Sequence, residues 1–324
     1  MHPTLSRVCR QTRSAAYRNT ARNTARVYKA LRFLSTWLLL LGMTSTAVQA
    51  QEKIQIPSLA TRADGQPTML DAYLFSPDPA QTGAGPYPAV VFVHGCGGLL
   101  THSGHLMSRE ADWARRLNAQ GYLVLAVDSF TTRDQGSECA HGGPVTPQTV
   151  RPRDAYGALR YLQTRPDVIA DRVALMGWSH GGGTVLYAIG PDGPAREGVP
   201  AGRTLPDFRT AIAFYPGWCN IHAQASDWRN SVPLLILMGA SDVWTRPGPC
   251  QAFVDAAQAR GAPVQIHLYP DAYHDFDFPA LPVREHPEFA NRHSTEIPIT
   301  GTNPAARADA IDRVTAYLAQ ALKP

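Results

Sequence analysis

Residues 172–188, RVALMGWSHGGGTVLYA, leave the backbone little choice. Val173–Met176 is a short apolar run of the kind buried in a parallel strand, and Thr184–Ala188 reads as the start of a helix. Between them stands Gly177-Trp178-Ser179-His180-Gly181. A chain that passes from strand to helix in five residues must hold the middle one in a strained, positive-φ backbone. The glycines two before and two after Ser179 remove the side chains that would collide there. Such a turn lifts the Ser179 hydroxyl clear of the sheet, above a helix N-terminus that favours negative charge. The alternative is a glycine-rich turn with an idle serine; what separates the two is whether the chain supplies partners for Ser179.

The remaining chain alternates strands and helices. Lys53–Pro57 and Thr68–Phe75 are strand candidates around the turn 63–67. A Pro- and Gly-rich linker, 76–87, leads to the apolar run Ala89–Val93, which ends in His94-Gly95-Cys96-Gly97-Gly98. Ser108–Gln120 has apolar residues at helical spacing, Tyr122–Val127 is a strand, and 129–149 is a polar loop. A helix over Arg153–Thr164 precedes the strand that carries Ser179. Then come strands Thr210–Phe214 and Leu234–Met238, a helix over Cys250–Arg260, a strand Val264–Tyr269 and a closing helix Ala305–Leu322. Strands that are apolar throughout rather than alternating imply a mostly parallel sheet with helices on both faces. Ligands bind such sheets at the carboxyl ends of the strands, where loops 94–98, 215–219, 239–244 and 270–277 gather around Ser179.

The first fifty residues read differently. Eight basic residues from Arg7 to Arg32, with no acid before Glu52, precede the apolar stretch Phe33–Met43 and the small residues of Ala47-Val48-Gln49-Ala50. This predicts a secretory signal peptide over 1–50, a single domain over 51–324 and a periplasmic or secreted product; a retained anchor is the alternative. The apolar core is shorter than the ~20 residues of a membrane span, so no stable span is expected after cleavage. Subtracting those eight charges from the formal +4 of the whole chain leaves −4, which removes the argument for nucleic acid. Four cysteines remain, Cys96, Cys139, Cys219 and Cys250, an even number that suggests two disulfides in an exported protein. No spacing calls for a metal, and no motif for a cofactor.

A serine hydroxyl becomes a nucleophile only when a base takes its proton and a third group orients the base. Of eleven histidines, His274 stands just beyond the last strand, in YPDAYHDFD. His267 lies within that strand, and His102, His105 and His141 lie in early loops. Asp242, on the loop after Leu234–Met238, is the candidate acid, since Asp271, Asp275 and Asp277 stand too close in sequence to turn back onto the His274 ring. The order Ser179, Asp242, His274 is the one a strand-turn-helix nucleophile leads. The oxyanion of a tetrahedral intermediate needs N–H donors, for which Cys96 and His180 are placed. Trp178, Tyr215, Trp218 and Trp244 are candidate walls of a substrate pocket.

HGCGG after a strand, GWSHGGG, GASDVWT and YPDAYHDFD together resemble the dienelactone hydrolase family of the α/β-hydrolase superfamily, over most of residues 85–322. The resemblance implies an α/β-hydrolase fold, a triad of Ser179, Asp242 and His274, and oxyanion N–H groups from Cys96 and His180. The founding members have a cysteine where Ser179 stands and a glutamate in the loop that here contains Gly95. The strand order of this fold implies the bridges Cys96–Cys139 and Cys219–Cys250. The expected activity is hydrolysis of small carboxylic esters or lactones through an acyl-enzyme, without a cofactor. The alternatives are a cutinase-like polyester hydrolase, a serine peptidase of the prolyl-oligopeptidase type, and a non-catalytic binding protein on the same fold.

Overall fold

The computed structural model describes residues 51–324, apart from 141, 195, 196, 198, 200–203, 231, 291–295 and 324. The signal-peptide reading of 1–50 falls outside the described residues. An eight-stranded sheet carries the fold. Its strands are β1 (Gln51–Thr61), β2 (Pro67–Phe75), β3 (Tyr87–Val93), β4 (Leu123–Val127), β5 (Val168–Trp178), β6 (Thr210–Phe214), β7 (Leu234–Gly239) and β8 (Val264–Tyr269), in the order β1-β2-β4-β3-β5-β6-β7-β8. The β1–β2 hairpin and the β2–β4 pair are antiparallel, and every pairing from β4 to β8 is parallel. The hairpin turns at Gly65, whose φ of 79° suits glycine, and Asp64 accepts the Gln66 N–H there.

Besides a single turn at Pro79–Thr82, the helices are α1 (Ser108–Ala119), α2 (Val150–Leu162), α3 (His180–Ala188), α4 (Pro247–Ala259) and α5 (Pro304–Leu322). The strands β3, β4, β6 and β7 consist almost wholly of buried residues, as a sheet covered on both faces requires. Among the described residues no helix is long and apolar enough to cross a membrane.

Two boundaries on either side of Ser179 differ from the sequence reading. β5 begins at Val168, ahead of its apolar run, and α3 begins at His180, four residues before Thr184. Gly181, Gly182 and Gly183 are poor helix formers alone, but this first turn is buried against the chain at Val93–His94 and at 214–218, and that packing overrides propensity. The stretch from 278 to 304 includes Arg284, Glu285, Glu288 and Glu296, charges that suit solvent, yet it also builds structure beside His274. It pairs two short strands, β9 (Arg284–Glu285) and β10 (Ile299–Thr300), and Thr300 bridges to His274.

Candidate active site

Ser179 has φ 51° and ψ −110°, the strained conformation its neighbours implied. A Cβ on Gly177 would meet the Gly181 carbonyl oxygen at 2.4 Å, and one on Gly181 would meet the Val93 oxygen at 2.0 Å. Glycine is thus required at both places by close approach. The serine backbone is anchored on both sides: its N–H donates to the Phe214 carbonyl at 3.0 Å, and its carbonyl accepts from Gly183 and Gly217, each at 2.9 Å. His180 opens α3, so its N–H has no acceptor within the helix.

The loops after β7 and β8 bring Asp242 and His274 together. His274 Nδ1 lies 2.7 Å from Asp242 Oδ2, and both residues are buried. Asp242 is held by three further donors: the N–H groups of Trp244 and Thr245 on Oδ1, at 2.8 and 2.9 Å, and the Thr245 hydroxyl, 2.8 Å from Oδ2. A carboxylate on Nδ1 leaves Nε2 free to take a proton from elsewhere. Burial alone pushes the His274 imidazole down, but the charge and hydrogen bond of Asp242 outweigh it and hold the pKa above its ordinary value.

Behind His274 lies a buried polar network that the sequence reading missed. Asp277 accepts from Trp113 Nε1 and Trp178 Nε1, both at 2.8 Å, and from the Tyr215 hydroxyl at 2.6 Å. Arg109 donates to the Tyr215 hydroxyl at 3.0 Å, to Asp275 at 2.9 Å and to Glu110 at 2.6 Å. Burial pushes the carboxyls of Asp277 and Glu110 up. The Tyr215 ring in turn stands 4.4 Å from the His274 ring.

A second network shapes the turn after β3. His94 donates from Nδ1 to the Gly95 carbonyl at 2.7 Å, and its Nε2 accepts the Ser129 N–H at 3.2 Å, which fixes one neutral tautomer. Arg151 donates to His180 Nδ1 at 2.6 Å and to the His94 carbonyl at 2.7 Å. Burial, then the Arg151 charge, push the His180 imidazole down to about 2. Both histidines are therefore neutral scaffolding.

Two cavities meet at Ser179. One, of about 710 Å³, is bordered by His274, Phe130, Trp244, Phe278 and Phe289, and by the 95–101 segment. The other, of about 480 Å³, is bordered by Cys96, Glu138, His180, Trp218 and Trp244. A larger hollow of about 900 Å³ opens beside Thr210, Val232 and Val264, at the ends where β6–β8 begin and away from Ser179. It has no place in chemistry at the carboxyl ends of the strands.

Cys96, His180, Trp218 and Trp244 thus stand beside Ser179. Trp178 and Tyr215, read from the sequence as pocket walls, border neither cavity: both are fully buried. Side chains alternate across a strand, and Trp178, one residue before the serine, points into the core, 5.0 Å from Phe92 and 5.8 Å from Phe214. Tyr215 faces Asp277 and backs His274 instead. Cys96–Cys139 and Cys219–Cys250 are both joined, with S–S distances of 2.04 and 2.06 Å.

A mostly parallel sheet in this strand order, with a serine on the turn after β5 and an Asp–His pair on later loops, is an α/β-hydrolase fold. The sequence matches the model of the dienelactone hydrolase family over residues 70–322, and the chain belongs to that family of hydrolases. It resembles the structure of a dienelactone hydrolase-like promiscuous phosphotriesterase from metagenomic libraries, with TM-score 0.58 and 20% identity, over 84% of this chain and 99% of that one. A carboxylesterase from Lactobacillus plantarum gives TM-score 0.58 and 16% identity, over 84% and 98%. Among curated proteins, acylamino-acid-releasing enzyme 2 of Oryza sativa subsp. japonica is 25% identical over 193 residues, half of this chain. This chain spans a quarter of that relative's length.

Proposed function

We propose that the chain is an exported serine hydrolase that cleaves small carboxylic esters or lactones through an acyl-enzyme. The observation that carries this reading is the meeting of Ser179 and His274 at one cavity, with Asp242 on the far nitrogen of the imidazole. In the reaction proposed, Ser179 Oγ attacks the carbonyl carbon while its proton passes to His274 Nε2. Asp242 holds the ring and stabilises the imidazolium. The N–H groups of Cys96 and His180 receive the charge on the carbonyl oxygen, an interaction worth about 3–4 kcal/mol per donor in comparable sites. The intermediate collapses, the alkoxide leaves with the proton from Nε2, and water repeats the sequence on the acyl-enzyme with His274 again as base.

Export rests on the basic and apolar pattern of 1–50, and the two disulfides fit an oxidising compartment. N-terminal sequencing of the protein recovered from the cell envelope or medium should begin at Gln51; a start within 1–50 would leave the leader in place. Amide substrates are the second reading, supported by the similarity to the acylamino-acid-releasing enzyme. A fluorophosphonate probe should label the wild type on Ser179 and should not label Ser179→Ala, which should also lose all ester hydrolysis. Unlabelled, inactive wild type with native circular dichroism would favour a binding protein.

A further inference from the structure

The cavity on the His180 side contains a group that the proposed reaction leaves idle. Glu138 stands on the loop after β4 and is tied twice to the 94–98 segment. Its N–H donates to the Cys96 carbonyl at 2.9 Å, and its neighbour Cys139 is bonded to Cys96. Glu138 Oε1 accepts the Val145 N–H at 3.1 Å, in space that a Cβ on Gly143 would fill, since it would come within 2.1 Å of that oxygen. Oε2 has no hydrogen-bond partner among the described residues, although Glu138 is only 6% exposed and borders the cavity. His180 Nε2 stands 3.4 Å away. Arg151 has only donors, so His180 Nδ1 accepts and the ring proton sits on Nε2; at that separation it does not satisfy the carboxylate.

Arg133 and Arg151 share this region with three carboxyls, Asp128, Asp154 and Glu138, and Asp154 takes Arg133 through both oxygens at 2.7 and 2.9 Å. An unpartnered buried carboxylate is costly, and burial pushes the Glu138 carboxyl up; a cation bound against Oε2 offsets that cost. Trp218 and Trp244 line the same cavity. Arg246, at the rim, is engaged by Glu296.

His274 borders the other cavity and not this one. A leaving oxygen must take its proton from His274 Nε2, so the alcohol belongs on the His274 side and the acyl group on the Glu138 side. Resting on the ester-hydrolase reading above, we propose that Glu138 makes this cavity an acyl subsite selective for acyl groups that carry a protonated amine.

The test compares ethyl 4-(dimethylamino)butanoate with its neutral isostere, ethyl 5-methylhexanoate, on the full exported chain at neutral pH. Wild type should prefer the amine ester at least tenfold in kcat/KM, and Glu138→Gln should lose at least tenfold in that ratio. Glu138→Asp should retain more of the preference than Glu138→Gln. A wild-type ratio near one overturns the proposal without any variant, and so does an unchanged ratio in Glu138→Gln. NMR titration with the two ketone analogues, methylene replacing the ester oxygen, separates the proposal from the reading it rests on. Tighter binding of the amine ketone, lost in Glu138→Gln, supports the subsite even if neither ester is cleaved. Cleavage of the neutral ester with equal binding of both ketones overturns the subsite and leaves the hydrolase intact.

Discussion

In the proposed reaction His274 serves as base only while its Nε2 is unprotonated, and Asp242 holds its pKa above the ordinary imidazole value of 6.5. The protonated form is the inactive one, so kcat/KM for a neutral ester should rise with pH through an inflection above 6.5. Asp242→Asn removes the charge that raises that pKa and upsets the ring tautomer. The inflection should then move down and the plateau should fall by about 10⁴-fold. A full pH–rate profile of both proteins checks this, and near-wild-type activity in Asp242→Asn together with its loss in Asp275→Asn would move the acid to Asp275. That Ser179, Asp242 and His274 come to one edge of the sheet could be read from the sequence because each follows a strand. Asp277 could not. It looks like one more acid near His274, and only the fold turns it away to accept from Trp113, Trp178 and Tyr215. Arg109 and Arg151 were hidden for the same reason: their partners Asp275, Tyr215 and His180 are far away in the chain, and no local pattern marks such contacts. Glu138 was hidden because only the fold brings it to the cavity beside Ser179.

At the scale of elements, the strand-end loops are what the chain has to hold still, and the two disulfides do part of that work. Cys96–Cys139 ties the turn after β3 to the loop after β4 across 43 residues, and Cys219–Cys250 ties the loop after β6 to α4 across 31. The even cysteine count suggested two bridges, and the choice among three pairings needed the strand order. Helix α3 was less legible, because glycines required by close packing carry no helical signal of their own. Cys139→Ser frees the segment that presents the Cys96 N–H, so it should act on rate as well as stability. The expected loss is roughly 2–4 kcal/mol in denaturant unfolding, the usual range for a native bridge. In conditions where the variant is fully folded, kcat should fall while fluorophosphonate labelling of Ser179 slows in proportion. Lost stability with unchanged kcat would make the bridge a staple with no part in the oxyanion site.

For the whole molecule, the question is how large an acyl group the site accepts. The stretch 278–304 brings Leu281, His286 and Phe289 to the His274-side cavity, and the Trp244 and Phe289 rings stack at 5.1 Å. Its charged residues read as solvent-facing in the sequence, but its apolar ones wall the side assigned to the alcohol. An aromatic alcohol such as p-nitrophenol suits that side. The acyl side is the smaller cavity, about 480 Å³, closed in by Cys96, Cys139 and Cys219 and carrying the Glu138 carboxylate. Each methylene of an acyl chain gains about 0.8 kcal/mol only while apolar wall remains to receive it. Beyond that point it must displace water from the carboxylate or turn back into solvent. Across p-nitrophenyl esters, kcat/KM should therefore peak between acetate and hexanoate and decline for longer chains, with no jump at the micellar threshold of the substrate. Rates that climb steadily to palmitate, or that jump when micelles form, would show that the acyl chain runs along an apolar surface instead, and would make the enzyme a lipase.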